Sequence, residues 1–242
     1  MLLEILGMSE TRFITIYVVQ GIVFVFFIFL AYQILKRDTK RLNLIFAGFY
    51  LTISAGLFVN FIYGPITDLA TVYLLNIITM WLLFFAPIFL TIFSLILLKS
   101  EKVITAGKQY LILIVYGVLL ALMIVFPRGD STWGIMISEP QASPWWSIPF
   151  FIYTASVISV MAIIPNLVLS FQILKKFEDE QLKKKWKKYI IGLIFLYIFT
   201  YGIMLSNTLN NATFRLGVGL ISIILNLIGS YLVYKGVGEK ID

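Results

Sequence analysis

The chain alternates seven long apolar runs with short polar stretches. The runs cover 13–35, 42–63, 69–98, 109–126, 148–174, 189–209 and 214–235, and none of the 31 charged residues (19 basic, 12 acidic) lies in the interior of a run. A bilayer core about 30 Å thick is crossed by about 20 residues at 1.5 Å rise each. The pattern therefore predicts an all-α integral membrane protein, a seven-transmembrane helix bundle occupying 1–242 as a single membrane domain. The first run is about 23 residues, long for a signal-peptide core, and no small-residue cleavage pattern follows it, so it is expected to stay as a helix.

Charge adds orientation. Sixteen of the 19 Lys and Arg fall in the segments that follow runs one, three, five and seven, against only Arg12, Arg128 and Arg215 at the other ends. This asymmetry predicts an N-terminus outside and a C-terminus in the cytoplasm, with the cell membrane the expected location. The net charge of +7 is thus read as topology, and no nucleic-acid partner is expected. The sequon Asn211-Ala212-Thr213 falls in an outer loop beside the last helix.

Composition narrows the chemistry. Hydrophobic residues make up 60% of the chain and charged residues 13%, with a mean hydropathy of +0.97, where a soluble domain carries about 25% charged residues. Cysteine and histidine are both absent, which removes disulfides, thiol chemistry, His-ligated haem, blue copper and ordinary zinc sites, so no cofactor is expected. Ion-coupled transport, retinal binding and voltage sensing each need ionisable groups at membrane depth, and the runs hold none. General acid–base catalysis lacks a buried titratable group for the same reason, and interface chemistry at Asp68, Asp130 or Glu139 is recommended by no spacing. The chain is expected not to be an enzyme.

The polar residues that remain inside the runs form stripes. Helix two carries Gly48, Thr52, Gly56 and Asn60; helix five Ala155, Ser159, Ala162, Asn166 and Ser170; helix seven Gly219, Ser222, Asn226, Gly229 and Ser230. Such spacing lets helix backbones approach and amides bond across helices. Packing is the ordinary role. The alternative is a ligand pocket of Gln20, Asn60, Asn76, Asn207 and Asn226 beneath a rim of Tyr17, Tyr63, Tyr73 and Tyr201, for which interfacial anchoring and interhelical bonds are the plainer account. Pro87 in helix three and Pro165 in helix five are each expected to free a carbonyl and bend the helix, with the Asn166 amide available to repair the second break.

Two loops stand out. The outer loop 127–147 carries Trp133, Trp145 and Trp146, expected at the headgroup level or against a partner. The inner segment Lys175 to Lys188 suggests a helical hairpin projecting past the bilayer, held by i,i+4 pairs Asp179–Lys183 and Glu180–Lys184 and anchored by Trp186. Lys183, Lys184, Lys185, Lys187 and Lys188 would attract anionic lipid at about 1 kcal/mol each, or touch a cytoplasmic protein.

Taken with the helix count and orientation, the short basic loop Lys36-Arg37-Asp38-Thr39-Lys40-Arg41, the Ser54-Ala55-Gly56 segment and the run Lys183 to Lys188 followed by Gly192 resemble the seven-transmembrane N-terminal sensor region of archaeal and bacterial histidine kinases. The resemblance spans the chain. In that family a signalling helix and a kinase follow helix seven, whereas this sequence stops at Asp242, so the resemblance implies output through a separate polypeptide. Three expectations follow: a receptor-like sensory module, a non-catalytic accessory subunit of a larger membrane complex, or a facilitator of a neutral or lipid-like solute.

Overall fold

Among the described residues of the computed structural model, seven helices are long and apolar enough to cross a membrane: α1 Ile14–Arg37, α2 Arg41–Tyr63, α3 Leu69–Lys99, α4 Ala106–Val125, α5 Ile148–Lys176, α6 Glu180–Leu209 and α7 Thr213–Val237. The structure describes residues 10–138, 143–209 and 211–237, without the side chains at 10, 11, 138, 143, 212, 216 and 222. Glu139 and Asp242, singled out above, lie outside the described residues, and so does the side chain of Ser222. The chain is an integral membrane protein by helix length and composition. Six helices match the apolar runs closely; α6 begins nine residues earlier than its run, at Glu180, because the Lys-rich stretch continues the helix.

Short polar side chains start these helices. Asp68 accepts from Thr71 N at 2.8 Å to open α3, Thr105 caps α4 and Ser147 caps α5. Asp179 Oδ1 accepts from the Gln181 and Leu182 amides at α6, and Asn211 Oδ1 from Phe214 N at α7. Each satisfies backbone donors that the first turn leaves free. Lys183 pairs with Glu180 at 2.8 Å, an i,i+3 pair in place of the two expected i,i+4 pairs, since Asp179 is committed to its cap.

Helix α3 is central, touching α2, α4 and α5, while contacts run on from α5 to α6, α6 to α7 and α7 back to α1. Helix α4 lies outermost, packed on α3 and α5. Its outward stripe of Leu111, Ile114, Val118 and Leu122 is exposed, as is the stripe Leu220, Ile221, Ile224 and Ile228 on α7. Apolar residues thus face outward as well as inward, the arrangement a lipid solvent favours. At the basic end Arg37 Nη1 donates to the Val237 carbonyl and Arg41 Nε to Gln109 Oε1. The opposite end carries the loop after α4.

That loop is not irregular throughout. Residues Ile135–Ser138 (β1) and Ser143–Trp146 (β2) pair antiparallel, Ile135 opposite Trp146, a two-stranded addition to the expected all-α fold. Gly134 is required where β1 begins, because a Cβ there would sit 1.6 Å from the Pro127 carbonyl oxygen. Gly129 turns the chain with φ +76, a conformation that suits glycine.

Two helices are broken inside the bundle. Helix α3 stops being regular at Ala86, immediately before Pro87, and resumes as Pro87–Lys99. Helix α5 widens into a π turn over Ser159–Ile163, two residues ahead of Pro165. The proline that cannot donate an amide is absorbed by a change of helical pitch, a common device at such positions. A second π segment, Ile14–Val19, opens α1.

Candidate functional site

The most developed polar constellation is centred on Asn166, which is 0% exposed. Its Oδ1 accepts from Ser94 Oγ of α3 at 2.8 Å and from Ser170 Oγ at 3.4 Å, and its Nδ2 donates to the Tyr197 hydroxyl of α6 at 2.6 Å. Ser94 Oγ also meets the Tyr189 hydroxyl at 3.3 Å. Asn166 therefore does not repair the break at Pro165, as the sequence suggests; it bonds outward to two neighbouring helices. The π turn contributes as well, since Thr91 Oγ1 donates to the Ala162 carbonyl at 2.9 Å and Ser159 Oγ lies in hydrogen-bond contact with Tyr201. Amides, hydroxyls and phenols thus tie α3, α5 and α6 together at the irregular middle of α5. Each interhelical bond is worth about 0.6–2 kcal/mol.

The expected pocket residues are distributed differently. Asn60 Nδ2 donates to Gln20 Oε1, joining α2 to α1, and Asn76 Nδ2 donates to the Tyr63 hydroxyl at 3.1 Å, joining α3 to α2. Asn226 lies elsewhere: its Oδ1 accepts from Ser230 Oγ, whose backbone carbonyl accepts from Tyr50. Tyr50 is ten residues from Asn60 along α2, about 15 Å at helical rise. Asn207, half-buried on α6, joins neither group through a hydrogen bond. The rim tyrosines are likewise engaged, Tyr17 donating to the Phe61 carbonyl and Tyr73 to the Phe126 carbonyl. Gln20, Asn60 and Asn76 therefore form separate interhelical contacts, Asn226 bonds within α7, and the five amides do not converge on one pocket.

The packing stripes divide. A Cβ on Gly48 would stand 2.8 Å from the Phe89 ring and one on Gly56 3.0 Å from Leu83, so both glycines admit α3; Thr52 is half-buried between them. Gly229 abuts Gly192 of α6. Gly219 is a correction: it is exposed with nothing within 4 Å of a Cβ, because the stripe turns away from α6 toward that end of α7.

Two tryptophans are also corrected. Trp146, read as a headgroup or partner contact, is 1% exposed and packs edge-on against Phe84 and Phe150, since the β pairing turns it inward. Trp186, read as an anchor in lipid, is buried; its Nε1 donates to the Ser170 carbonyl at 2.7 Å and its ring stacks on Tyr189 at 4.4 Å. Trp133 remains exposed and Trp145 half-buried. Lys184, Lys187 and Lys188 are exposed, and Lys183 and Lys185 half-buried, on the turns around Trp186.

Tyrosines are the network residues that sequence inspection overlooks. Tyr189 and Tyr197 complete the Asn166 network, Tyr50 braces α7, and Tyr116 donates to the Phe84 carbonyl at 2.6 Å beside the break in α3. The available signal was their depth within the apolar runs, where a phenol needs a partner. Outside the spans, the Asp68 carboxyl is held below its ordinary range by the hydrogen bonds from Thr71. Comparison with family models, curated proteins and solved structures finds no match to this chain.

Proposed function

We propose that the chain is a receptor-like sensory module, non-enzymatic, which passes a conformational signal to a separate protein at its basic end. The observation that carries this reading is the buried, uncharged network around Asn166, joining α3, α5 and α6 where α5 is irregular. A π turn is often a functional feature, and a helix that departs from regular pitch has a nearby alternative in which it does not. A ligand that favours one of two such packings shifts the population between them. Helix α6 continues past the apolar run into the exposed lysines, so a movement at Tyr197 or Tyr189 is conveyed along one rigid element to that end.

In this reading the N-terminus is outside, the C-terminus is cytoplasmic, and the cell membrane houses the protein, in keeping with the 16 to 3 distribution of basic residues. Lys183 to Lys188 rest on anionic lipid and flank the docking position of the protein partner. Because the chain has no cysteine, single cysteines at Thr67 and Thr105 report orientation without background. Thr67 is expected to react with an impermeant maleimide from outside, and Thr105 only after permeabilisation.

Function is tested by gentle-detergent purification from the native membrane followed by native mass measurement. Recovery alone or with a soluble effector is the expected result. A stoichiometric complex with redox or transport subunits would make the chain an accessory subunit instead.

A further inference from the structure

Between α2 and α3, toward the hairpin end, three buried polar side chains are left incompletely bonded. Asn76, Thr79 and Tyr63 are 5%, 4% and 6% exposed. Asn76 and Thr79 are three residues apart on one face of α3, and the Tyr63 hydroxyl of α2 receives the Asn76 amide at 3.1 Å. The Thr79 hydroxyl lies near enough to interact with the Tyr63 phenol, yet neither Asn76 Oδ1 nor Thr79 Oγ1 meets a partner in full hydrogen-bond geometry. Two orphaned polar atoms beside a shared phenol are uncommon in an apolar interior, where each costs free energy unless satisfied.

We propose that Asn76, Thr79 and Tyr63 form a binding site for a neutral hydroxyl oxygen. The chemistry of the three groups selects that class. Asn76 Oδ1 requires a donor, whereas the Thr79 and Tyr63 hydroxyls can both donate and require an acceptor. A hydroxyl is donor and acceptor at once and so matches the needs of all three groups. Exchanging the amide oxygen and nitrogen of Asn76 leaves one amide atom unpartnered again, and a hydroxyl serves that arrangement equally. A carboxylate would face Asn76 Oδ1 with no proton to give, and an ammonium would face two hydroxyls with no charge to pair. The hydroxyl comes either from water or from the alcohol headgroup of an amphiphile entering between α2 and α3. Its use as the signal rests on the sensory reading above; its occupancy does not.

Thermal unfolding of the full chain in detergent tests occupancy. Thr79→Val removes the hydroxyl at constant shape and Thr79→Ser keeps the hydroxyl while losing the methyl. Occupancy predicts that Thr79→Val lowers the midpoint further than Thr79→Ser, by about 2–4 °C for a chain of this size. The same proteins are titrated with 1-decanol and, as the matched control, decane. A midpoint raised by decanol beyond decane in the parent and not in Thr79→Val identifies an alcohol ligand. Equal effects of decanol and decane, with Thr79→Val still the less stable variant, identify water. A Thr79→Val midpoint at or above the parent's, or Thr79→Ser falling as far as Thr79→Val, overturns the proposal. Occupancy by water would leave the sensory reading standing, and an autonomous sensor could fail while the site holds.

Discussion

A Cβ on Gly192 would stand 2.6 Å from the carbonyl oxygen of Gly229, so α6 and α7 meet backbone to backbone with no side chain between them. The same point is 2.7 Å from the Val233 amide nitrogen, and two turns further along α7 a Cβ on Gly236 would lie 2.7 Å from the Tyr189 nitrogen. Helix α7 is thereby seated on the helix that carries Tyr189 and Tyr197.

Gly192→Ala is expected to destabilise the protein by about 1–3 kcal/mol, because rigid backbone rather than a flexible side chain must give way. Gly219→Ala, with open space around it, is expected to leave the unfolding midpoint unchanged or raise it slightly. Thermal unfolding in one detergent compares the two directly.

Asn166→Leu removes the group that satisfies Ser94 and Tyr197 and leaves both hydroxyls buried. A loss of about 1–3 kcal/mol follows. Tyr197→Phe combined with Asn166→Leu should cost less than the two single changes summed, since they share a bond. Additive losses in denaturant unfolding would show the network to be incidental.

Trp146→Ala empties a large, fully enclosed volume against Phe84 and Phe150 and is expected to cost about 3–5 kcal/mol. Trp133→Ala, at a position 59% exposed, should change the midpoint little. The contrast separates a hairpin that belongs to the core from one that merely lies on it, and limited proteolysis of the loop provides a second readout.

Asp68 caps α3 as a carboxylate whose folded-state pKa is depressed by Thr71. A depressed acid contributes stability above its unfolded pKa, near about 3.9, and loses it as pH falls through the lower folded value. The parent should therefore lose stability on acidification below about pH 4 by more than Asp68→Ala does. Unfolding midpoints measured between neutral and acid pH check the sign.

The helices were legible because their signal is additive: twenty apolar residues without a charge admit few alternatives in a bilayer. Prolines 87 and 165 likewise marked α3 and α5 as irregular, since a missing amide is visible in the sequence. The form of the irregularity was not legible, because whether a helix kinks or widens depends on contacts from other helices, here Thr91 of α3 donating to the Ala162 carbonyl inside the π turn. The same reason hid the partner of Asn166. Its spacing with Ser159 and Ser170 identified the face, yet Tyr189 and Tyr197 lie on a different helix and read as apolar. Trp146 was misread because a four-residue hairpin strand carries too little periodicity to reveal which face is inward.

The buried network consists of groups that carry no charge in either partner, and the Lys and Arg among the described residues lie at helix ends. Transferring one elementary charge through the full membrane potential is worth about 2.3 kcal/mol per 100 mV. A rearrangement of Asn166, Tyr189 and Tyr197 transfers none. Under the sensory reading proposed above, a ligand-driven change in the packing of α3, α5 and α6 would therefore be insulated from the membrane potential, the same in a depolarised and an energised membrane.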